Sequence, residues 1–115
     1  MTDREMLEMA AKAAGLVNHR YCKIWRCMAE YAPDENKFFG KSWNPRVDDG
    51  DALRLAVKLG IDVSYVKTPS GENVVMASQE CEFSGWFEEL LSTDPFEATR
   101  RAITRAAAQI GKSMP

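Results

Sequence analysis

The segment Asp94–Ile110, "DPFEATRRAITRAAAQI", constrains the fold more than any other stretch of this chain. Asp94 offers a carboxylate to the orphan backbone N–H groups of a first turn. Pro95 takes the position where a missing N–H costs nothing, and Glu97 completes a capping-box pattern. Phe96, Thr99, Ile103, Ala106, Ala107 and Ile110 then recur at helical spacing, and Gly111 is the natural stop. Most of a helix's stability comes from packing its apolar face against something else. The rest of the chain must therefore supply a surface for this stripe.

Two other helices follow from the same chemistry. Thr2–Ala14 opens with the capping box of Thr2 and Glu5, carries Met6, Met9, Ala10 and Ala13 on one face, and meets Gly15. Asp51–Leu59 has Asp48, Asp49 and Asp51 as candidate caps and Gly60 as its stop. Ala52, Leu55, Ala56 and Leu59 fall on one side of it, with Leu53 and Val57 close by.

Strands supply the covering surface. Ile61–Thr68 alternates apolar and polar residues, Pro69–Asn73 is a turn, and Val74–Ala77 resumes strand character, which makes a β-hairpin. Tyr21–Met28 reads as a further strand, with large residues on both faces that point to burial on two sides. Ala29–Ser42, interrupted by Pro33 and Gly40, reads as an irregular connection. Cys81–Ser92 reads as a short strand followed by a helical turn or loop, with Trp86, Phe87, Leu90 and Leu91 suited to a helical turn. The expectation is one α+β domain over residues 1–115. Its small, mainly antiparallel sheet of three to four strands is layered between helices as an α/β/α sandwich.

Composition narrows the function classes. A net charge of −2 and a pI near 5.4 speak against a dedicated nucleic-acid binder, whose domain is usually strongly basic. No run of about 18 apolar residues is present, so no membrane span is expected. The start of the chain lacks the basic and apolar regions of a signal peptide. With no such signal, Cys22, Cys27 and Cys81 are expected to be free thiols in a reducing compartment, hence the cytoplasm.

No convergent catalytic set stands out. Asp48, Asp49 and Asp51 around Gly50 resemble a calcium loop only in part, because alternating ligands are missing and position 59, twelve on from Asp48, is Leu59. Helix capping accounts for them. Cys22 and Cys27 are spaced C-x4-C rather than as a zinc pair, and His19, the one histidine, has no accompanying nucleophile pattern. No catalytic residue, cofactor or metal is expected. Phe38, Phe39, Trp43 and Trp86 are surplus aromatics in or beside irregular segments and are the candidate partner-binding residues. Arg101, Arg105 and Lys112 on and beyond the last helix are candidates for nucleic acid.

Two segments carry a family likeness. "WNPRVDDGDALRLAVKLGI" (Trp43–Ile61) and "DPFEATRRAITRAAAQIG" (Asp94–Gly111) resemble the small phage and prophage proteins grouped as the phage ABA-sandwich domain. "MTDREMLEMAAKAAGL" (Met1–Leu16) is similar to the start of such proteins. The resemblance implies a helix–sheet–helix layered fold, a bacteriophage or prophage origin and expression in a bacterial cytoplasm. It implies no activity and assigns no functional residue. The expected function is a non-enzymatic interaction module acting on a host or phage protein, with nucleic-acid binding through the last helix as the alternative. Exposed strand edges and aromatics are compatible with a homodimer.

Overall fold

The computed structural model describes residues 1–79, 87–91 and 94–115. Helix α1 spans Asp3–Ala13, and Thr2 caps it by accepting the Glu5 N–H at 3.1 Å. Gly15 follows at φ 73°, the left-handed turn that ends the helix. Leu7, Ala10 and Ala11 are the helix's buried residues, while Met6, Met9 and Ala13 are half-buried. The inward face is thus broader than the expected stripe and turned towards Leu7, because α1 is covered on two sides.

After α1 the chain forms a three-stranded antiparallel meander: β1 (His19–Cys22), β2 (Cys27–Ala32) and β3 (Lys37–Trp43). Two expectations are corrected here. Tyr21–Met28 is not one strand, because the chain reverses at Lys23–Arg26, with Arg26 at φ 52°. Ile24 and Trp25, the residues that made the segment look strand-like, are 88% and 59% exposed on that turn. Ala29–Ser42 is not irregular either. Pro33–Asn36 is a tight turn with Asn36 at φ 51°, and β3 follows it. Gly40 sits inside β3 because the Glu30 side chain lies where its Cβ would be.

Helix α2 (Asp49–Leu59) is capped by Asp48, which accepts the Asp51 N–H at 2.8 Å, and ends at Gly60 with φ 64°. Ala52, Leu55 and Ala56 are buried as expected. Strands β4 (Ile61–Lys67) and β5 (Asn73–Gln79) form the expected hairpin, in register from Ile61 opposite Gln79 to Lys67 opposite Asn73. Strand β6 (Phe87–Leu90) pairs antiparallel with β5 and completes a second three-stranded sheet. Phe87 and Leu90 therefore belong to a strand and not to a helical turn. The expected strand around Cys81 and Phe83, and the residue Trp86, lie outside the described residues.

Helix α3 (Pro95–Ser113) begins as expected: Asp94 accepts the N–H groups of Phe96 and Glu97, each at 3.1 Å. The Glu97 carboxylate is turned to Arg101 at 2.7 Å. Gly111 does not stop the helix. It lies buried within the last turn, against the Met9 backbone of α1. Ala98, Ala102, Ile103, Thr104, Ala106, Ala107 and Ala108 are buried around most of the circumference. Small side chains are needed there because α3 packs on α1, on α2 and on all three strands of the second sheet.

The α+β class, the antiparallel strands and the layering of helices on sheet all hold, with the strands distributed over two sheets. Helix α1 is the shared element. Its Ala10 and Ala14 join the larger core, with Leu55, Val75, Ala102 and Ala107, between α2, α3 and the second sheet. Its Leu7 and Ala11 join a smaller core with Met28 against the first sheet. Leu16 and Trp43 pack against both cores.

Candidate functional site

An apolar groove of about 550 Å³ opens between α2, β4 and the first turns of α3. Leu53, Tyr65, Leu91, Phe96 and Ile103 supply its apolar lining. Local structure explains why these side chains are left outside. Leu53 lies off the buried face of α2 formed by Ala52, Leu55 and Ala56, and it is 64% exposed. Phe96 is in the first turn of α3, ahead of the buried run that starts at Ala98, and is 67% exposed. Tyr65 is 60% exposed near the end of β4, and its hydroxyl lies 3.0 Å from that of Thr99. Large apolar side chains gathered round one depression are uncommon on a surface with no binding role.

The groove's ionic groups neutralise each other. Arg100 donates to Asp49 at 2.7 Å and, through Nε, to the Arg46 carbonyl at 2.9 Å. Thr99 Oγ1 donates to the Pro95 carbonyl at 2.8 Å. What remains is a mostly apolar slot whose polar edge is the hydroxyl pair of Tyr65 and Thr99.

The residues proposed from sequence fall elsewhere. Phe38 is half-buried in β3, edge-on to Tyr31 with ring centroids 5.2 Å apart and 6.4 Å from Trp25. Phe39, its neighbour on the opposite strand face, is 61% exposed. Trp43, the third candidate, is half-buried and packs against both cores. These three do not form one patch with the groove. Helical spacing puts Phe96 in the apolar stripe of α3 and Leu53 close to that of α2, yet both stay exposed because nothing among the described residues covers them.

Arg101 and Arg105 are engaged. Arg101 pairs with Glu89 at 3.3 Å and with Glu97 at 2.7 Å, and Arg105 pairs with the other oxygen of Glu89. The Glu89 side chain is only 13% exposed, and Arg105 also lies over the Phe87 ring at 4.9 Å. Strand β6 thus presents a carboxylate to the two candidate arginines of α3. Lys112 is exposed in the last turn of α3.

The aspartates are structural. Asp48 caps α2, Asp51 accepts the Asn44 N–H at 2.9 Å and pairs with Arg54 at 2.8 Å, and Asp49 holds Arg100. Among the described residues, no group of three or more His, Cys, Asp and Glu side chains is placed to hold a metal ion. His19 lies 2.7 Å from the Val17 carbonyl through Nδ1. It lines a more polar cleft of about 690 Å³ between α1 and the first sheet. There Arg4 lies over Tyr21 at 5.2 Å and Arg20 over Tyr31 at 4.2 Å. Burial pushes the Cys27 thiol above its ordinary pKa, and the neighbouring Cys22 adds to the effect.

Together, fold and site define an α+β domain with an exposed apolar groove. Among the described residues, no helix is long and apolar enough to cross a membrane. Compared with protein-family models, with curated proteins and with solved structures, the chain matches none of them.

Proposed function

We propose that this domain is a non-enzymatic protein-interaction module that takes an apolar, helical segment of a partner protein into the groove between α2, β4 and α3. The observation that carries this reading is the convergence of exposed Leu53, Tyr65 and Phe96 on one slot whose charges are internally paired. A volume of about 550 Å³ lies within the usual range of roughly 300–1,000 Å³ for specific pockets. An amphipathic helix can lay the side chains of successive turns into such a slot. The resemblance of Trp43–Ile61 and Asp94–Gly111 to phage ABA-sandwich proteins supports a bacteriophage or prophage accessory role in the bacterial cytoplasm, with a host or phage protein as partner. The ion pairs of Arg101 and Arg105 lend the nucleic-acid reading no comparable support.

Leu53→Asp and Phe96→Asp test the proposal. Both positions are exposed, so each variant should keep its fold, with a stability change within about 0.5 kcal/mol. Proteins captured from bacterial lysate by the wild-type domain should be lost with both variants and kept with Phe39→Ala. Capture should also survive high salt, because apolar contacts are not screened. Retention of the same proteins by both groove variants would place the interaction elsewhere.

A further inference from the structure

Cys22 and Cys27 close the β1–β2 ladder as its last directly opposed pair. Directly opposed residues in an antiparallel pair have Cα atoms about 4.5 or 5.5 Å apart, and both spacings fall inside the window of about 4.4–6.8 Å that a disulfide spans. Side chains of opposed residues stand on the same sheet face. Here it is the face opposite the Tyr21–Met28 pair, because strand residues alternate, and Met28 belongs to the core against α1. The two thiols therefore sit side by side on the sheet face turned away from α1, at the two ends of the exposed turn Lys23–Arg26. They are 5% and 4% exposed, and both are free. Cys27 also lines a cleft of about 450 Å³ with Trp25, Gly40, Ser42 and Asn44, so a small reagent has a route on the side away from the core.

We propose that Cys22 and Cys27 form a reversible dithiol–disulfide couple, oxidised by a low-molecular-weight disulfide of the glutathione class. The thiolate of one cysteine attacks a sulfur of the oxidant. That S–S bond breaks, a mixed disulfide forms, and one small thiolate leaves. The second cysteine's thiolate attacks the protein sulfur of the mixed disulfide and expels the second small thiolate. Two protein thiols are oxidised by two electrons, one small disulfide is reduced to two thiols, and the two protein protons end on those thiols. The new bond ties the ends of the turn that carries Ile24 and Trp25. Burial keeps the Cys27 proton in place, so the reaction is slow at neutral pH and accelerates in mild alkali.

The test uses the full chain with Cys81→Ser, so that only these two thiols remain. Oxidised glutathione is applied to the folded protein and, separately, during refolding from urea. The expected product is lighter by two hydrogen atoms, has no alkylatable thiol, keeps the native far-UV spectrum and returns to the dithiol with dithiothreitol. Trypsin cuts after Lys23 and Arg26. The oxidised form should therefore yield two peptides joined only through sulfur. Adding Cys22→Ser or Cys27→Ser should stop the reaction at a single glutathione adduct. The native protein should favour the bridge over the urea-unfolded chain by about tenfold or more, since its β1–β2 register already holds the two residues opposite each other. A bridge formed by either route with the native spectrum supports the couple. Two free thiols after both routes, an unbridged adduct on the two-cysteine protein, or a bridge that costs the native spectrum overturns it.

Discussion

Gly111→Ala sets two physical rules against each other. A Cβ added at Gly111 would press on the Met9 carbonyl group, 2.7 Å from its carbon, and lie 3.3 Å from the Ala13 nitrogen. Both are backbone atoms of α1, so no side-chain rotation relieves the contact. Carbon atoms pack best at about 3.5–4.0 Å, so α1 and α3 must part by roughly 1 Å or the end of α3 must unwind. Parting the helices loosens the larger core, in which Ala10 and Ala14 of α1 are buried together with Ala106 and Ala107 of α3. Overpacking of this kind costs about 1–3 kcal/mol, and the backbone clash puts this case at the upper end. Against it stands a gain of at most about 1 kcal/mol from replacing Gly by Ala within a helix. The net expectation is a loss of about 2 kcal/mol, or roughly 8 °C in Tm for a domain of this size. Urea unfolding followed by far-UV circular dichroism, with the m-value unchanged, measures it. A variant as stable as wild type, or more stable, would show that helix propensity rules here and that α1 and α3 do not approach this closely.

Two further expectations concern charge. Glu89→Gln leaves Arg101 and Arg105 facing each other without their shared, mostly buried carboxylate, and should cost about 1–3 kcal/mol in urea unfolding; an unchanged midpoint would dismiss the bridge as a stabilising contact. Cys27, with its pKa raised by burial, keeps its proton in the folded state to higher pH than in the unfolded state. Its contribution is complete below the unfolded thiol pKa and is lost as pH rises through the folded value, so wild-type stability should fall in alkali more steeply than that of Cys27→Ala. Parallel stability–pH curves for the two proteins would remove that argument.

Helix starts were legible because they are decided within four residues. Thr2, Asp48 and Asp94 cap their helices through hydrogen bonds to backbone groups two or three positions on. Gly15 and Gly60 end two of them by taking positive φ. The β4–β5 hairpin was equally local, with its turn marked by Pro69 and Gly71. Such contacts need no distant partner, so their residue types stand in the chain for anyone to read. The β1–β2 turn was not legible, since Lys23–Arg26 contains no glycine, proline or asparagine. Phe38 and Phe39 were visible as surplus aromatics, but only the strand that holds them puts them on opposite faces.

The sequence by itself determined the three helices, one hairpin and the α+β class, through caps, stops and apolar spacing. Tertiary structure alone decided that the strands form two sheets with α1 touching both cores. It decided that Gly111 is a contact point and not a terminus, and that Glu89 neutralises the arginines of α3. It also decided which apolar residues stay in water: Leu53 and Phe96 have the same chemistry as buried residues nearby. Whether an apolar group is core or binding surface depends on what another part of the chain places over it, and no local pattern carries that information.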